Sequence, residues 1–149
     1  RDHARSIIRS AHLRELFFLA LERRGSLFLD VRGASLCHED LHMHNIIFRR
    51  DRSRWRLATI LDFDKAWAGH HETDLARLEL WRGMTSAEFW GAYEAICPMA
   101  PLYKERRAIY QLLWCLEYAR STAEHLADTQ RLCRELGLPR LERFESLGG

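Results

Sequence analysis

Lysine is nearly absent from this 149-residue chain: Lys65 and Lys104 stand alone among 23 basic residues, and the others are arginine. The arginines are scattered among acids and the formal charge is only +2, so the bias reads as codon usage in a GC-rich genome and not as a nucleic-acid surface. Paired cysteines are also lacking. Cys37, Cys97, Cys115 and Cys133 lie far apart with no CxxC spacing, which argues against a zinc ribbon or a dithiol redox motif and favours buried reduced thiols. No apolar run approaches the roughly 18 residues of a membrane span. The first residues, RDHARSIIRSAH, have no signal-peptide core. A cytoplasmic location is therefore the expectation, with neither membrane nor nucleic acid as a partner.

What is present has the balance of a soluble globular domain, 47% apolar and 30% charged, without low-complexity or repeated segments. One domain spanning residues 1–149 is expected. Apolar residues at Ile7, Ile8, Ala11, Leu16, Leu19 and Ala20 recur near helical spacing and predict one amphipathic helix over 4–24, stopped by Gly25. "NIIF" and "LATILDF" are β-prone runs separated by the polar RRDRSRWR, which predicts a small hairpin. Beyond Gly69 the pattern turns helical. "TDLARLELW" opens on an expected N-cap at Thr73, and "TSAEFWGAYEAI" opens on an expected capping box of Thr85 and Glu88. A long helix is predicted over about 104–126, its core face given by Ile109, Leu112, Leu113, Leu116, Ala119, Ala123 and Leu126. A last helix over roughly 128–136 stops at Gly137 and Pro139. The expected fold class is mainly α with a small β-hairpin.

The polar residues concentrate at the two ends of the predicted hairpin: "HEDLHMHN" precedes its first strand and "LDFD" ends its second. A hairpin brings its ends together, so Asp40, Asn45 and Asp62 should converge within a few ångströms. Oxygen donors of this kind suit magnesium, which takes one or two carboxylates and completes its octahedron with water and substrate phosphates.

The order His38-Glu39-Asp40, four residues, Asn45, and then Asp62-Phe63-Asp64 is similar to the H-R-D…N and D-F-G elements of kinases. In detail, "HEDLHMHNII", "ILDFDKA" and "GHHETDLA" resemble the patterns HGDLHxxNIL, (I/L)D(F/W)xxA and GxxxxDLA of the aminoglycoside phosphotransferase family, with its choline and fructosamine kinase relatives. Three linked motifs over residues 37–76 carry the resemblance. It implies the C-terminal lobe of a protein-kinase-like (α+β) fold, with a catalytic loop at 36–48, a metal-binding motif at 60–66 and a helical part at 73–149. It also implies an ATP- and magnesium-dependent phosphotransferase acting on a hydroxyl of a small molecule, be it an aminoglycoside, a sugar or an amino alcohol. By the same resemblance, Asp40 orients the acceptor hydroxyl as catalytic base, Asn45 and Asp62 hold the Mg2+ of ATP, and Asp74 supports the loop.

Competing readings exist for several of these residues. Asp40, Asn45 and Asp62 are also ordinary turn and strand-end residues. His38 reads as an orienting residue beneath the loop more than as a proton carrier, and His42 belongs to the family pattern, although His38, His42 and His44 together are also zinc ligands by type. Asp64 either approaches a second magnesium or caps the following turn. His70, His71 and Glu72 read as a solvated loop, and Trp81, Trp90, Tyr93 and Trp114 as core more than as a substrate platform. Glu39 stands where the pattern has glycine. Its carboxylate is expected to face solvent, or to meet a basic group such as Arg32 or a substrate amine.

Two kinase elements are missing, a glycine-rich loop over the phosphates and a strand lysine. The chain thus reads as a C-terminal lobe whose N-terminal ATP-binding lobe lies elsewhere. Two functional classes follow: the catalytic lobe of a small-molecule kinase, or a non-catalytic remnant serving as a binding module.

Overall fold

Two short antiparallel ribbons, six α-helices and two short 3-10 helices make up the described residues of the computed structural model, which are 1–29, 33–81, 83–118 and 122–144. The chain divides into two compact units, one formed by Arg1–Val31 with Leu102–Gly149 and the other by Arg32–Pro101.

In the first unit, α1 (Asp2–Ile7) and α2 (Ala11–Arg24) replace the single predicted helix. The break has a local cause. Ile8 is extended, Ser10 caps α2 by accepting from the Leu13 N–H, and the Arg14 guanidinium donates to the carbonyls of Ile8 and Arg9 at 2.7 and 2.8 Å. Burial follows the break: Ile8, Leu13, Leu16, Phe17 and Ala20 are buried, whereas Ala11 is exposed.

The expected boundary between helices at 104–126 and 128–136 is displaced: α5 (Tyr103–Tyr118) is followed by α6 (Ala123–Glu135), which runs unbroken from the end of the first predicted helix through the second and is capped by the Thr122 hydroxyl accepting from His125 N–H. Ile109, Leu112 and Leu116 are buried as expected, while Leu113 is half-buried, Ala123 is exposed at the start of α6 and Ala119 lies outside the described residues. His125, Thr129, Leu132 and Cys133 form the buried face of α6, and His125 Nε2 lies 2.8 Å from the Cys115 carbonyl. The helix ends as foreseen. Gly137 is left-handed at φ +67°, and the N–H groups of Gly137 and Leu138 close back on Arg134 and Cys133.

The second unit begins with β1 (Ser35–Cys37). The predicted hairpin follows as β2 (Ile46–Asp51) and β3 (Arg54–Ile60), and then β4 (Trp67–Gly69) returns to pair with β1. The β1–β4 ribbon, three residues a side, was too short to give a periodic signal. Along β2–β3, Phe48 faces Leu57 and Arg50 faces Trp55, so one side of the ribbon carries those apolar residues. Arg49 faces Arg56 on the other side, beside Arg54 and Asp51, and an Arg56–Asp51 ion pair of 3.2 Å lies there. The tight turn at Arg52 has φ +52°.

Helix α3 (Glu72–Leu80) starts after His71, so Thr73 is a buried residue of its first turn and not its cap. Helix α4 (Ala87–Glu94) is capped by Ser86, whose hydroxyl accepts from Phe89 N–H at 3.2 Å, in place of the expected Thr85. Glu88, in that first turn, is held below the usual carboxylate range by its own backbone N–H and by Ser86. The fold class is the expected one, mainly α with small antiparallel ribbons, as in a partial α+β kinase-like lobe. Among the described residues no helix is long and apolar enough to cross a membrane.

Candidate active site

The ribbons of the second unit organise one polar loop. The first, β1–β4, delivers His38; the second, β2–β3, joins its two ends through Ile46 opposite Ile60 and through a Leu61 N–H bond of 2.9 Å to the Asn45 carbonyl. Asp62 therefore follows directly on the residue that meets Asn45. The Asn45 amide nitrogen donates to the Asp40 carbonyl at 3.0 Å, which folds the loop back on the hairpin's start. Asp40 and Asn45 are thus joined side chain to backbone, and Asp62 follows Leu61, whose N–H ends on the Asn45 carbonyl.

His38 is buried and engaged at both ring nitrogens. Nδ1 accepts from Asp40 N–H at 3.2 Å, so the ring proton sits on Nε2 and is donated to the Leu61 carbonyl at 2.7 Å. The Phe63 ring lies 4.5 Å from its centroid. His38 thereby ties the loop to the end of β3. His42 accepts at Nδ1 from His44 N–H, which leaves Nε2 toward Asp40, 4.0 Å from Oδ1. With these engagements the three histidines do not gather as a zinc site. Among the described residues no three His, Cys, Asp or Glu side chains gather to hold a metal ion.

Asp40 is partly buried, and Lys65 Nζ lies 3.8 Å from its Oδ2. The sequence alone gives Lys65 no part in this site. Its place in the turn after β3, closed by Ala66 N–H on Phe63 O at 2.9 Å, brings it to Asp40. Asp64 is exposed in that same turn. Asp62 is exposed as well, and its φ of +63° puts a non-glycine residue in the left-handed region.

Asp74, in the first turn of α3, accepts from His38 N–H at 2.7 Å and from Glu39 N–H at 2.9 Å. Burial pushes its carboxyl above the usual range, and those two N–H donors partly offset the rise. Glu39 does not reach solvent. It is buried, its Oε1 accepts from Trp67 Nε1 at 3.0 Å and Thr73 Oγ1 at 2.9 Å, and its Oε2 accepts from Arg77 Nη2 at 3.1 Å. Arg32, the partner considered for it, lies outside the described residues. Arg77, Thr73 and Trp67 carry no sequence mark of this role, since all three lie about thirty or more positions from Glu39.

The neighbouring His70, His71 and Glu72 are not a solvated loop. Glu72 is fully buried, with His70 Nδ1 3.7 Å from its Oε2, and the His71 ring lies 6.3 Å from that of Tyr93. The aromatic residues on helical stretches are half-buried and not deep core: Trp81 lies 5.4 Å from His42, Trp90 and Tyr93 pack with Phe89, and Trp114 packs with His125 and Tyr118.

By donor type, Asn45 and Asp62 are the residues that would suit a magnesium ion. With its nitrogen on the Asp40 carbonyl, Asn45 has its amide oxygen left to offer, and Asp62 offers a carboxylate; both are hard oxygen donors.

A mainly helical lobe with a polar loop at a hairpin's base defines a kinase-like class, and comparison with known proteins places the chain within it. The family model for fructosamine kinase matches residues 25–136, and the chain belongs to that family. A probable ketoamine kinase of Vibrio parahaemolyticus is 35% identical over 71 residues, which are 47% of this chain and 24% of that protein. The chain thus spans about a quarter of the length of the curated relative it matches. No solved structure matches. Among the kinases named in the resemblance, the match is to the fructosamine branch.

Proposed function

We propose that this chain supplies the catalytic lobe of a kinase that transfers the γ-phosphate of ATP to a hydroxyl of a sugar-derived amine, a ketoamine being the first candidate. The family match carries this reading because it runs through the loop, the hairpin and α3 that together fix Asp40. Asp40 accepts the proton of the attacking hydroxyl, and His38 and Asp74 hold its backbone in place. Asn45 and Asp62 hold Mg2+, with Asp64 as a candidate for a second ion; the ion, when bound, neutralises phosphate charge. Positioning and charge neutralisation supply most of the acceleration in phosphoryl transfer, which suits a site made of few oxygens. The N-terminal lobe that covers the nucleotide lies outside this chain, and the protein works in the cytoplasm.

The test is a phosphotransfer assay of the intact protein with ATP and Mg2+ against a fructosamine, an aminoglycoside and choline. Transfer to the fructosamine is expected, and loss of transfer in Asp40→Ala and Asp62→Ala with the fold retained. Wild-type turnover in either variant, or no transfer to any acceptor, would overturn the assignment. The 149-residue chain alone is expected to bind nucleotide weakly and to transfer nothing.

A further inference from the structure

The residue before Asp40 is in a conformation that its side chain disfavours. Glu39 has φ +62°, a region that glycine enters freely and L-residues with a Cβ enter at a cost. The backbone there is over-determined. The N–H groups of His38 and Glu39 end on Asp74, and that of Asp40 ends on His38 Nδ1, so three consecutive donors are fixed. The side chain is gripped by the same helix. Thr73 and Arg77, four residues apart and so on one face of α3, hold the Glu39 carboxylate, while Asp74 beside them holds the backbone. Trp67 closes the cluster from β4, where it is the strand partner of Cys37, the residue that leads into the loop.

From this we infer that Glu39 and Arg77 are a positioning pair for Asp40: their buried ion pair holds the left-handed turn that a glycine would adopt unaided. The inference rests on the proposed role of Asp40. Both partners are about 3–4% exposed at the side chain, and a buried charge that loses its partner is strongly unfavourable. The two residues are therefore mutually dependent. Removal of Arg77 leaves the Glu39 carboxylate buried beside Asp74, and the turn must open to rehydrate it. Removal of both leaves a glycine turn still fastened by Asp74. The arrangement also turns both Glu39 oxygens toward protein donors and away from the role of a substrate-amine ligand.

The test compares Arg77→Met, Arg77→Lys, Glu39→Gly and the double variant Glu39→Gly/Arg77→Met in the intact protein. A displacement of about 1 Å at a catalytic group costs on the order of 100-fold in rate, so Arg77→Met is expected to lose that much kcat with both KM values unchanged. Arg77→Lys should lose less, and the double variant should recover most of the kcat lost in Arg77→Met. Amide exchange at Asp40 should accelerate in Arg77→Met and slow again in the double variant, which reports on the turn whether or not transfer occurs. A double variant as slow as Arg77→Met, or an Arg77→Met variant with wild-type kcat, would overturn the pairing. If the wild type transfers to no acceptor, the functional reading fails, and the exchange pattern still decides the pair.

Discussion

Replacing Thr73 with valine removes one donor from the Glu39 carboxylate while nearly conserving volume. The Thr73 hydroxyl lies 2.9 Å from Oε1, in a place where Thr73 is 7% and Glu39 3% exposed, so water cannot readily replace it. A hydrogen bond to a charged group contributes about 1.5–3 kcal/mol, and the loss here should fall near the middle, about 2 kcal/mol, because Trp67 still donates to the same oxygen. At 1.4 kcal/mol per factor of ten, the opening that exposes the loop becomes about 30-fold more frequent. Amide hydrogen exchange at His38 and Glu39 reads that opening directly, since both N–H groups end on Asp74. Trp67→Phe removes a bond of 3.0 Å from a residue 37% exposed, where water can substitute, and should accelerate exchange less. Unchanged exchange in Thr73→Val, or a larger effect from Trp67→Phe, would refute the view that the Glu39 carboxylate is held mainly from α3.

Gly69→Ala should disturb the same loop from the other side. A Cβ at position 69 would come within 2.6 Å of the Trp67 ring and displace the indole from Glu39, so exchange at the Glu39 amide should rise; an unchanged rate would count against the close packing. Burial pushes the Cys37 and Cys115 thiols up to about 12 from an ordinary 9.0. With the folded value above the unfolded one, their contribution to stability is complete below pH 9.0 and is lost as pH rises toward about 12, so urea midpoints should fall across that window and fall less in Cys115→Ala. Below the window, alkylation of the native chain should mark half-buried Cys97 before the three buried thiols, and early labelling of Cys115 would contradict the packing. Leu112→Ala, at a side chain with no exposure, should cost about 2–5 kcal/mol in urea unfolding, and a loss under 1 kcal/mol would place Leu112 outside the core.

How much of this was legible in the sequence depended on the distance over which each cause acts. The hairpin was legible because its strands and turn are contiguous. The loop stood out in the sequence because the spacing of Asp40, Asn45 and Asp62 resembles a pattern found in kinases. Helix ends were less so: Ser86 and Thr85 are equally good caps by type, and only backbone geometry chooses between them. The gap between α5 and α6 was hidden because apolar spacing continues across it, although Thr122 is a residue of capping type. The setting of Glu39 was not legible at all. Its orientation depends on Arg77, 38 positions away, and a lone arginine on a helix looks like any other in an arginine-rich chain.

The β2–β3 ribbon bears on how the protein behaves at high concentration. Phe48, Trp55 and Leu57 share one side and are 56%, 69% and 55% exposed, whereas Arg49, Arg54 and Arg56 crowd the other. Arg50, which faces Trp55 on the apolar side, sets a positive charge among those residues and is expected to keep ribbons of separate molecules from stacking by mutual repulsion. Screening shortens to about 3 Å at 1 M salt, so added salt weakens the guard without weakening the apolar attraction. Turbidity should therefore rise with ionic strength, and low-salt buffers are the conditions in which solutions of this chain stay clear.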